Sequence, residues 1–359
     1  MVDIKSLFPG AKKLVGLDIG SSALKLAEVV QTAKGYALVN FHQAPLPRGV
    51  ITDGVVAAPD ILTQHIKELY KKAGCKRRGV VTALSSHSEI VKKVNLVRME
   101  DSELRELIHD EAGKYLPFDS MDDVNFDFQI LGENEYNANQ MDVLIVAAKK
   151  EAIEGVTGPV EKAGLPVVIM DVDSFALEHM YEQNYDFEET DVVALINIGA
   201  SITNINVVLN GGSIFTRDFT LGGNSITEAL QDKLGVTFEE AEKIKIEGMH
   251  GDEMDEREFA DSLLQLADPI CSEIERSLDY FRSTYGSGDI RKILLCGGGA
   301  NIPGIAQELS NRLNIETEIV NPFLKIEYNK KVIDPAHIQS IGPVSAVGVG
   351  LALRRIGEK

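Results

Sequence analysis

The chain has 359 residues, 44% hydrophobic and 25% charged, a composition that supplies a large buried core and excludes a disordered tail or a disulfide-stapled miniprotein. Its 36 basic against 55 acidic side chains leave a formal charge of −19, so the surface repels a phosphate backbone and nucleic acid is not expected as a partner. Three lone cysteines, Cys75, Cys271 and Cys296, have no CxxC spacing, and the seven histidines form no HExxH, which argues against a zinc site and for a reducing compartment.

The opening MVDIKSLFPGAKK lacks the apolar stretch of a secretory signal, and no apolar run approaches the roughly 18 residues of a spanning helix. A cytoplasmic protein is expected, with any membrane role exerted through a partner. Residues 14–30, LVGLDIGSSALKLAEVV, then read as strand, tight turn and strand. The stretch from Ser88 to Met99 alternates as strands do, and Asp101–Tyr115 has a helical period with an acidic cap and ends before Pro117. Strands are predicted from Val124 and from Met141, joined by the polar segment 132–140, and a helix from Lys150 to Ala163 closes a small α+β unit over residues 86–165.

Residues 193–209, VALINIGASITNINVVL, repeat the first hairpin at an offset of 179, close to half the chain: Gly20 falls on Gly199, Ser22 on Ser201 and Asp18 on Asn197. Two strand–turn–strand units at this spacing predict a duplicated architecture of two related lobes. Leu221-Gly222-Gly223 follows as a double-glycine turn, then a helix with a possible Thr237/Glu240 capping box that sets Glu242 and Lys245 three apart on one face. Lys292–Cys296 is a buried-strand run, Gly297, Gly298 and Gly299 form a turn, and an amphipathic helix begins near Ile302. A glycine-rich apolar helix from Ile341 ends the pattern.

Neither GxxxxGK[ST] nor GxGxxG occurs, so a phosphate seated on a helix amino terminus is not indicated. Two facing hairpins whose turns expose backbone N–H groups solve the same problem by gripping a polyphosphate from both lobes. Small residues at Gly20, Ser21, Ser22 and at Gly199, Ala200, Ser201 leave the amides accessible, the hydroxyls of Ser21, Ser22 and Thr203 add donors, and Lys25 reaches the phosphates if its strand points it inward. The alternative is a pair of ordinary hairpin turns with Lys25 in solvent. Glu242 and Lys245 are open to a similar alternative, plain surface pairing like that of Glu239 with Lys243.

The paired hairpins resemble phosphate 1 and phosphate 2 of the actin/Hsp70/sugar-kinase ATPase superfamily. That resemblance implies an α/β fold of two duplicated actin/RNase H-like lobes around a nucleotide cleft. It implies ATP or ADP with Mg²⁺, an adenosine site at the 297–299 turn, a ribose and adenine contact from Glu242 and Lys245, and an interlobe turn at Gly222 and Gly223. The metal site would fall on Asp18 and Asn197. The superfamily has Asp at both; Asn197 has no charge and cannot act as a base, so nucleotide binding with slow or negligible hydrolysis is expected.

The 86–165 insertion resembles the 1C subdomain of FtsA. Glu111-Ala-Gly-Lys-Tyr-Leu-Pro-Phe with Asp171-Val-Asp-Ser-Phe-Ala-Leu is similar, more narrowly, to the PilM family of cytoplasmic type IV pilus assembly proteins. The expected division is 1–85 with 166–190 for the core of lobe I, 86–165 for the insertion, 191–225 with 289–359 for the core of lobe II, and 226–288 for its helical part. The resemblance implies an adaptor whose first lobe and insertion hold the short cytoplasmic amino-terminal peptide of PilN at the inner-membrane face, without direct membrane insertion, since the chain stops soon after its last helix. Phe118, Phe126 and Phe128 are groove candidates that fit a core equally well. An FtsA-like polymerising protein and a small-molecule kinase on the same fold are the alternatives.

Overall fold

Both half-chain repeats fold as antiparallel hairpins in the same register. In the first, β1 (Val15–Ile19) and β2 (Ala23–Thr32) pair so that Asp18 faces Lys25. The structure, a computed structural model, describes residues 14–77, 79–85, 89–118, 121–134, 137–248, 255–285, 288–328, 330 and 335–357. Lobe I continues through β3 (Gly35–Pro45), the short pair β4 (Ile51–Thr52) and β5 (Val55–Val56), α1 (Pro59–Ala73) and β6 (Val80–Leu84). Pro59 starts α1, where its missing N–H is no loss, and Gly74 ends it in the left-handed region, returning its N–H to Lys71 and Tyr70 carbonyls.

The insertion comprises β7 (Glu89–Val97), α2 (Asp101–Tyr115), β8 (Val124–Asn134) and β9 (Asn137–Lys149), with strand order β7-β9-β8. Its two long strands run further than the polar 132–140 segment suggested, and residues 135–136 lie outside the described residues. Val94, Leu96, Leu104, Ile108, Phe128, Val143 and Ile145 form its core. The helix α3 (Lys150–Lys162), expected within the insertion, packs instead on lobe I: Val160 is fully buried with Leu62, Ile66 and Leu69 of α1, and the Thr63 hydroxyl donates to the Pro159 carbonyl at 3.2 Å.

After β10 (Val167–Val172) and α4 (Asp173–Asn184), lobe II opens with β11 (Val192–Ile198), β12 (Thr203–Leu209) and β13 (Gly212–Phe219). Here Asn197 faces Asn204, the counterpart of Asp18 facing Lys25. Asn210 and Gly211 both have positive φ, 51° and 76°, between the paired Leu209 and Gly212, which is the two-residue hairpin turn that Asn-Gly favours. Helices α5 (Gly223–Leu234), α6 (Phe238–Glu247), α7 (Glu256–Leu266) and α8 (Asp268–Tyr285) follow, then β14 (Lys292–Cys296), a short 3₁₀ turn at Gly298–Asn301, α9 (Ile305–Leu313), β15 (Glu316–Ile319), β16 (Ile326–Tyr328) and α10 (Pro335–Leu353). The capping box of α6 is formed, Thr237 accepting from the Glu240 amide at 3.3 Å and Glu240 accepting from the Thr237 amide at 2.9 Å.

The two sheets have orders β10-β6-β1-β2-β3-β16 and β13-β12-β11-β14-β15. The outer face of the first is covered by α1 and α3; alternate residues of β11, Val192, Ala194, Ile196 and Ile198, face a second core with α8 and α9. Between the sheets lie α4 and α10, buried among Ala27, Val81, Val193, Leu195 and Leu294. A Cβ on Gly350 would lie 1.7 Å from the Ala176 carbonyl, so glycine is what lets these two helices touch. The expected assignment of residues 289–359 to lobe II therefore needs correction: β16 completes the sheet of lobe I beside β3, and α10 is the shared filling between lobes.

Candidate functional site

The first hairpin closes with the Gly20 amide donating to the Ala23 carbonyl at 3.2 Å, the second with the Gly199 amide donating to Ile202 at 2.9 Å. Charged groups of the first hairpin come close to the end of the second, and the region between the two is the candidate cleft. Cys296 pairs with Asn197 across β14 and β11, and its thiol lies close enough to Asp173, Lys25 and Asp18 to feel their charges. Helix α10 borders both sides: the Asp18 Cβ is 3.8 Å from where a Cβ on Gly348 would be, and the Gly297 amide donates to the Pro343 carbonyl at 2.9 Å.

Lys25 does point inward, with its ammonium 2.9 Å from the Asp18 carboxylate, both side chains largely buried. Asn197 donates its amide to Asn204 at 3.1 Å, and its oxygen lies 2.4 Å from the site of a Cβ on Gly297. Ser21 is half-buried and Ser22 exposed at the first turn; Ala200 and Ser201 are half-buried at the second. Thr203 differs from expectation: it is fully buried and its hydroxyl donates to the Leu221 carbonyl at 2.7 Å, so it fastens the next turn rather than offering a hydrogen to a ligand.

That next turn is bound to the second hairpin through its backbone. Gly223 donates to the Gly199 carbonyl at 2.9 Å, Asn224 donates to the Ala200 carbonyl at 2.7 Å, and the Asn224 side-chain amide reaches Ser201 at 3.1 Å. On α6, Glu242 and Lys245 pair at 2.6 Å, and Lys245 also donates to the Gly223 carbonyl at 2.9 Å and to Thr227 at 2.7 Å. The pair thus ties α6 to the start of α5 beside the second hairpin, which plain surface pairing does not require. At the glycine triplet, Gly297 (φ +81°) and Gly299 have no room for a Cβ against Asn197 and Ile198, whereas Gly298 is exposed and faces open space. Of the three glycines, Gly298 alone is exposed.

Asp173, at the first turn of α4, belongs to the same cleft and was not singled out in the sequence. Burial pushes its carboxyl well above the usual range, Asp18 and Asp218 push the same way, and a Ser85 hydrogen bond and the Lys25 charge oppose them. Its signal was a carboxylate at a buried strand-to-helix junction. Burial likewise raises the Cys296 thiol, so that cysteine is unreactive. Across the cleft mouth Arg48 of lobe I pairs with Glu228 of α5, and its guanidinium carbon lies 4.2 Å from the Phe238 ring centroid.

A second concavity of about 520 Å³ lies between the insertion and lobe I. One wall is β8, the edge strand of its sheet, from Asn125 to Gln129; the other is β10 and α4, with Gly212 and Ser213 of lobe II and Arg354 at the ends. Asp171 pairs with Arg354 at 3.0 Å on its floor. Phe126 and Phe128 line the groove but pack into the insertion core, as does Phe118.

Among the described residues no helix is long and apolar enough to cross a membrane, and no group of three or more His, Cys, Asp or Glu is gathered for a metal ion. A solved "PilM-PilN type IV pilus biogenesis complex" is 32% identical, covers 96% of this chain and 99% of its own, and superposes with a TM-score of 0.82. MreB 5 of Spiroplasma citri bound to AMPPNP shares the fold at 13% identity, a TM-score of 0.55 and 95% coverage of both chains. The cell division protein FtsA of Bacillus subtilis (strain 168) is 26% identical over 297 residues, 76% of this chain, which spans only 63% of the FtsA length. The family model described as type IV pilus assembly protein PilM matches residues 16–356, and the chain belongs to that family.

Proposed function

We propose that the chain is an ATP-binding adaptor of type IV pilus assembly, working at the cytoplasmic face of the inner membrane. The observation that carries the nucleotide reading is the pair of hairpins in matched register, Asp18 facing Lys25 and Asn197 facing Asn204, with Asp18 and Lys25 close to Cys296 beside Asn197. The superfamily neighbour bound to AMPPNP is consistent with it. The amides of residues 20–22 and 199–201 with Lys25 would hold the phosphates, Gly298 the base, and Glu242 with Lys245 the ribose side. One carboxylate, Asp18, fits a Mg²⁺ that keeps most of its waters and takes the rest of its oxygens from phosphate. The ion when bound would neutralise phosphate charge.

Asn197 carries no charge and cannot take a proton from water, and Asp173 is pushed towards its protonated form, which supports binding with slow or negligible hydrolysis. ATP then acts by closing the cleft and orienting the insertion. The similarity to a solved PilM–PilN complex supports PilN as the partner, and the groove between β8 and α4 is the concavity we assign to its amino-terminal cytoplasmic segment. The exposed edge of β8 would take it as an added strand.

Isothermal titration with Mg²⁺ and ATP, with and without that peptide, tests the proposal. One nucleotide per chain and a reciprocal change of affinity are expected; absence of nucleotide binding would remove it. Nucleotide-dependent light scattering would instead indicate a polymerising protein, and phosphorylation of an added small acceptor a kinase.

A further inference from the structure

The charges along the groove do not cancel evenly. At the insertion end Arg105 lies over the Phe128 ring, 4.9 Å from its centroid, and within 3.8 Å of Asp101. On the floor the Asp171 and Arg354 charges cancel. Arg354 also lies 2.7 Å from His179 Nε2, and His179 Nδ1 lies 2.6 Å from the Phe175 carbonyl, so the ring is held between the two. At the far end α4 presents Glu178 and Glu182, one turn apart. Among the described residues neither has a cation paired to it.

Glu178 is held in place from lobe II: the Ser213 amide donates to it at 2.9 Å and the Ser213 hydroxyl donates to the same oxygen. A Glu182 carboxylate oxygen lies 3.2 Å from the site of a Cβ on Gly211, in the Asn210-Gly211 turn. Two acidic side chains of α4, Glu178 anchored by Ser213 and Glu182 more exposed, thus line this cavity with no cation paired to them among the described residues, and Asp127 of β8 adds a third carboxylate to the lining.

We infer that this end of the groove receives a lysine or arginine side chain of the docked segment, held between Glu178 and Glu182. The inference rests on the groove being the peptide site. Burial is the main cause that pushes the Glu178 carboxyl up, to about 8, and Glu182 is raised by burial too. Of the groups around Glu178, Glu182 and Asp171 add to its rise, Ser213 opposes it, and Arg354, His179 and the Asp127 of β8 complete the lining. An entering cation shifts both carboxyls to their ionised form, so docking releases protons and tightens as pH rises.

The test is fluorescence anisotropy of the full chain with a labelled synthetic peptide, the cytoplasmic amino-terminal segment of the PilN from the same organism, acetylated so that only side chains carry positive charge. A second peptide replaces each lysine and arginine by norleucine. Wild type should bind the native peptide about tenfold more tightly than the norleucine peptide, and Glu178→Gln and Glu182→Gln should each lose about tenfold towards the native peptide only. Affinity should rise several-fold from pH 6 to pH 8.5 in wild type and distinctly less in Glu178→Gln, where only Glu182 still titrates. Gln129→Trp, on the exposed β8 wall, blocks the groove itself. Equal binding of both peptides, abolished by Gln129→Trp, overturns the cation site and leaves the groove reading standing. Binding untouched by Gln129→Trp, or no binding of the native peptide, overturns both.

Discussion

Replacing Gly222 by alanine should disable the second hairpin, while the same change one residue on should do little. A Cβ on Gly222 would lie 2.6 Å from the Gly199 carbonyl oxygen and 2.8 Å from that of Ala200, roughly 0.8 and 0.6 Å inside ordinary contact. Both atoms are backbone, and both carbonyls are already engaged by the amides of Gly223 and Asn224 at 2.9 and 2.7 Å. Relief requires moving the turn away from the hairpin or breaking those bonds. Overpacking costs about 1–3 kcal/mol and a lost hydrogen bond about 1 kcal/mol, so the variant should be less stable by about 2–4 kcal/mol. A Cβ on Gly223 meets the flexible end of Lys245 at 3.3 Å, so Gly223→Ala should stay within about 1 kcal/mol of wild type. Urea unfolding measures the stabilities and ADP titration the site, where Gly222→Ala should lose at least about tenfold in affinity. Equal behaviour of the two variants would refute this reading of the turn.

Arg354→Met leaves the buried Asp171 carboxylate without its cation and should cost about 3–5 kcal/mol in urea unfolding, whereas adding Asp171→Asn should restore most of that loss; simple additivity contradicts the pairing. Glu178 has its carboxyl raised from 4.5 to about 8 by folding, so the folded chain holds that proton more tightly than the unfolded one and stability falls as pH climbs through that window. Glu178→Gln should therefore be more stable than wild type at pH 9 in urea unfolding, by an upper limit of about 5 kcal/mol, and differ little at pH 5, with an unchanged difference at both pH values counting against it. Asn197→Asp places a second carboxylate at the cleft and should make ATP affinity several-fold more dependent on Mg²⁺; ATP turnover in wild type at a kinase-like rate would contradict the role given to Asn197.

Much of the cleft was legible because its parts are local. Gly20 and Gly199 mark turns whose flanking strands alternate visibly, and the shared offset carries Asp18 onto Asn197 and Lys25 onto Asn204, the pairs that face each other in the fold. Thr237 and Glu240 announce α6 because a capping box is a three-residue interaction. What escaped depends on partners distant in the chain. Ile326–Tyr328 is too short for a pattern, so nothing in it says that it pairs with β3. Val160 marks an apolar face on α3, but a face does not name its partner, and α1 proved to be it. Helix α10 is apolar all round because it is enclosed between two sheets. Asp173 and Glu178 escaped for a related reason: their chemistry comes from burial and from Asp18 and Ser213, on other elements. The Asn210-Gly211 turn, which sets Ser213 against Glu178, was a readable hairpin signal that was not used.

A crystal structure of the chain with Mg²⁺ and a non-hydrolysable ATP analogue addresses the cleft most directly. The account predicts a single analogue whose phosphates touch residues 20–22 on one side and 199–201 on the other, with its base beside Gly298. An analogue bound to one lobe alone, or lodged away from both turns, would contradict it.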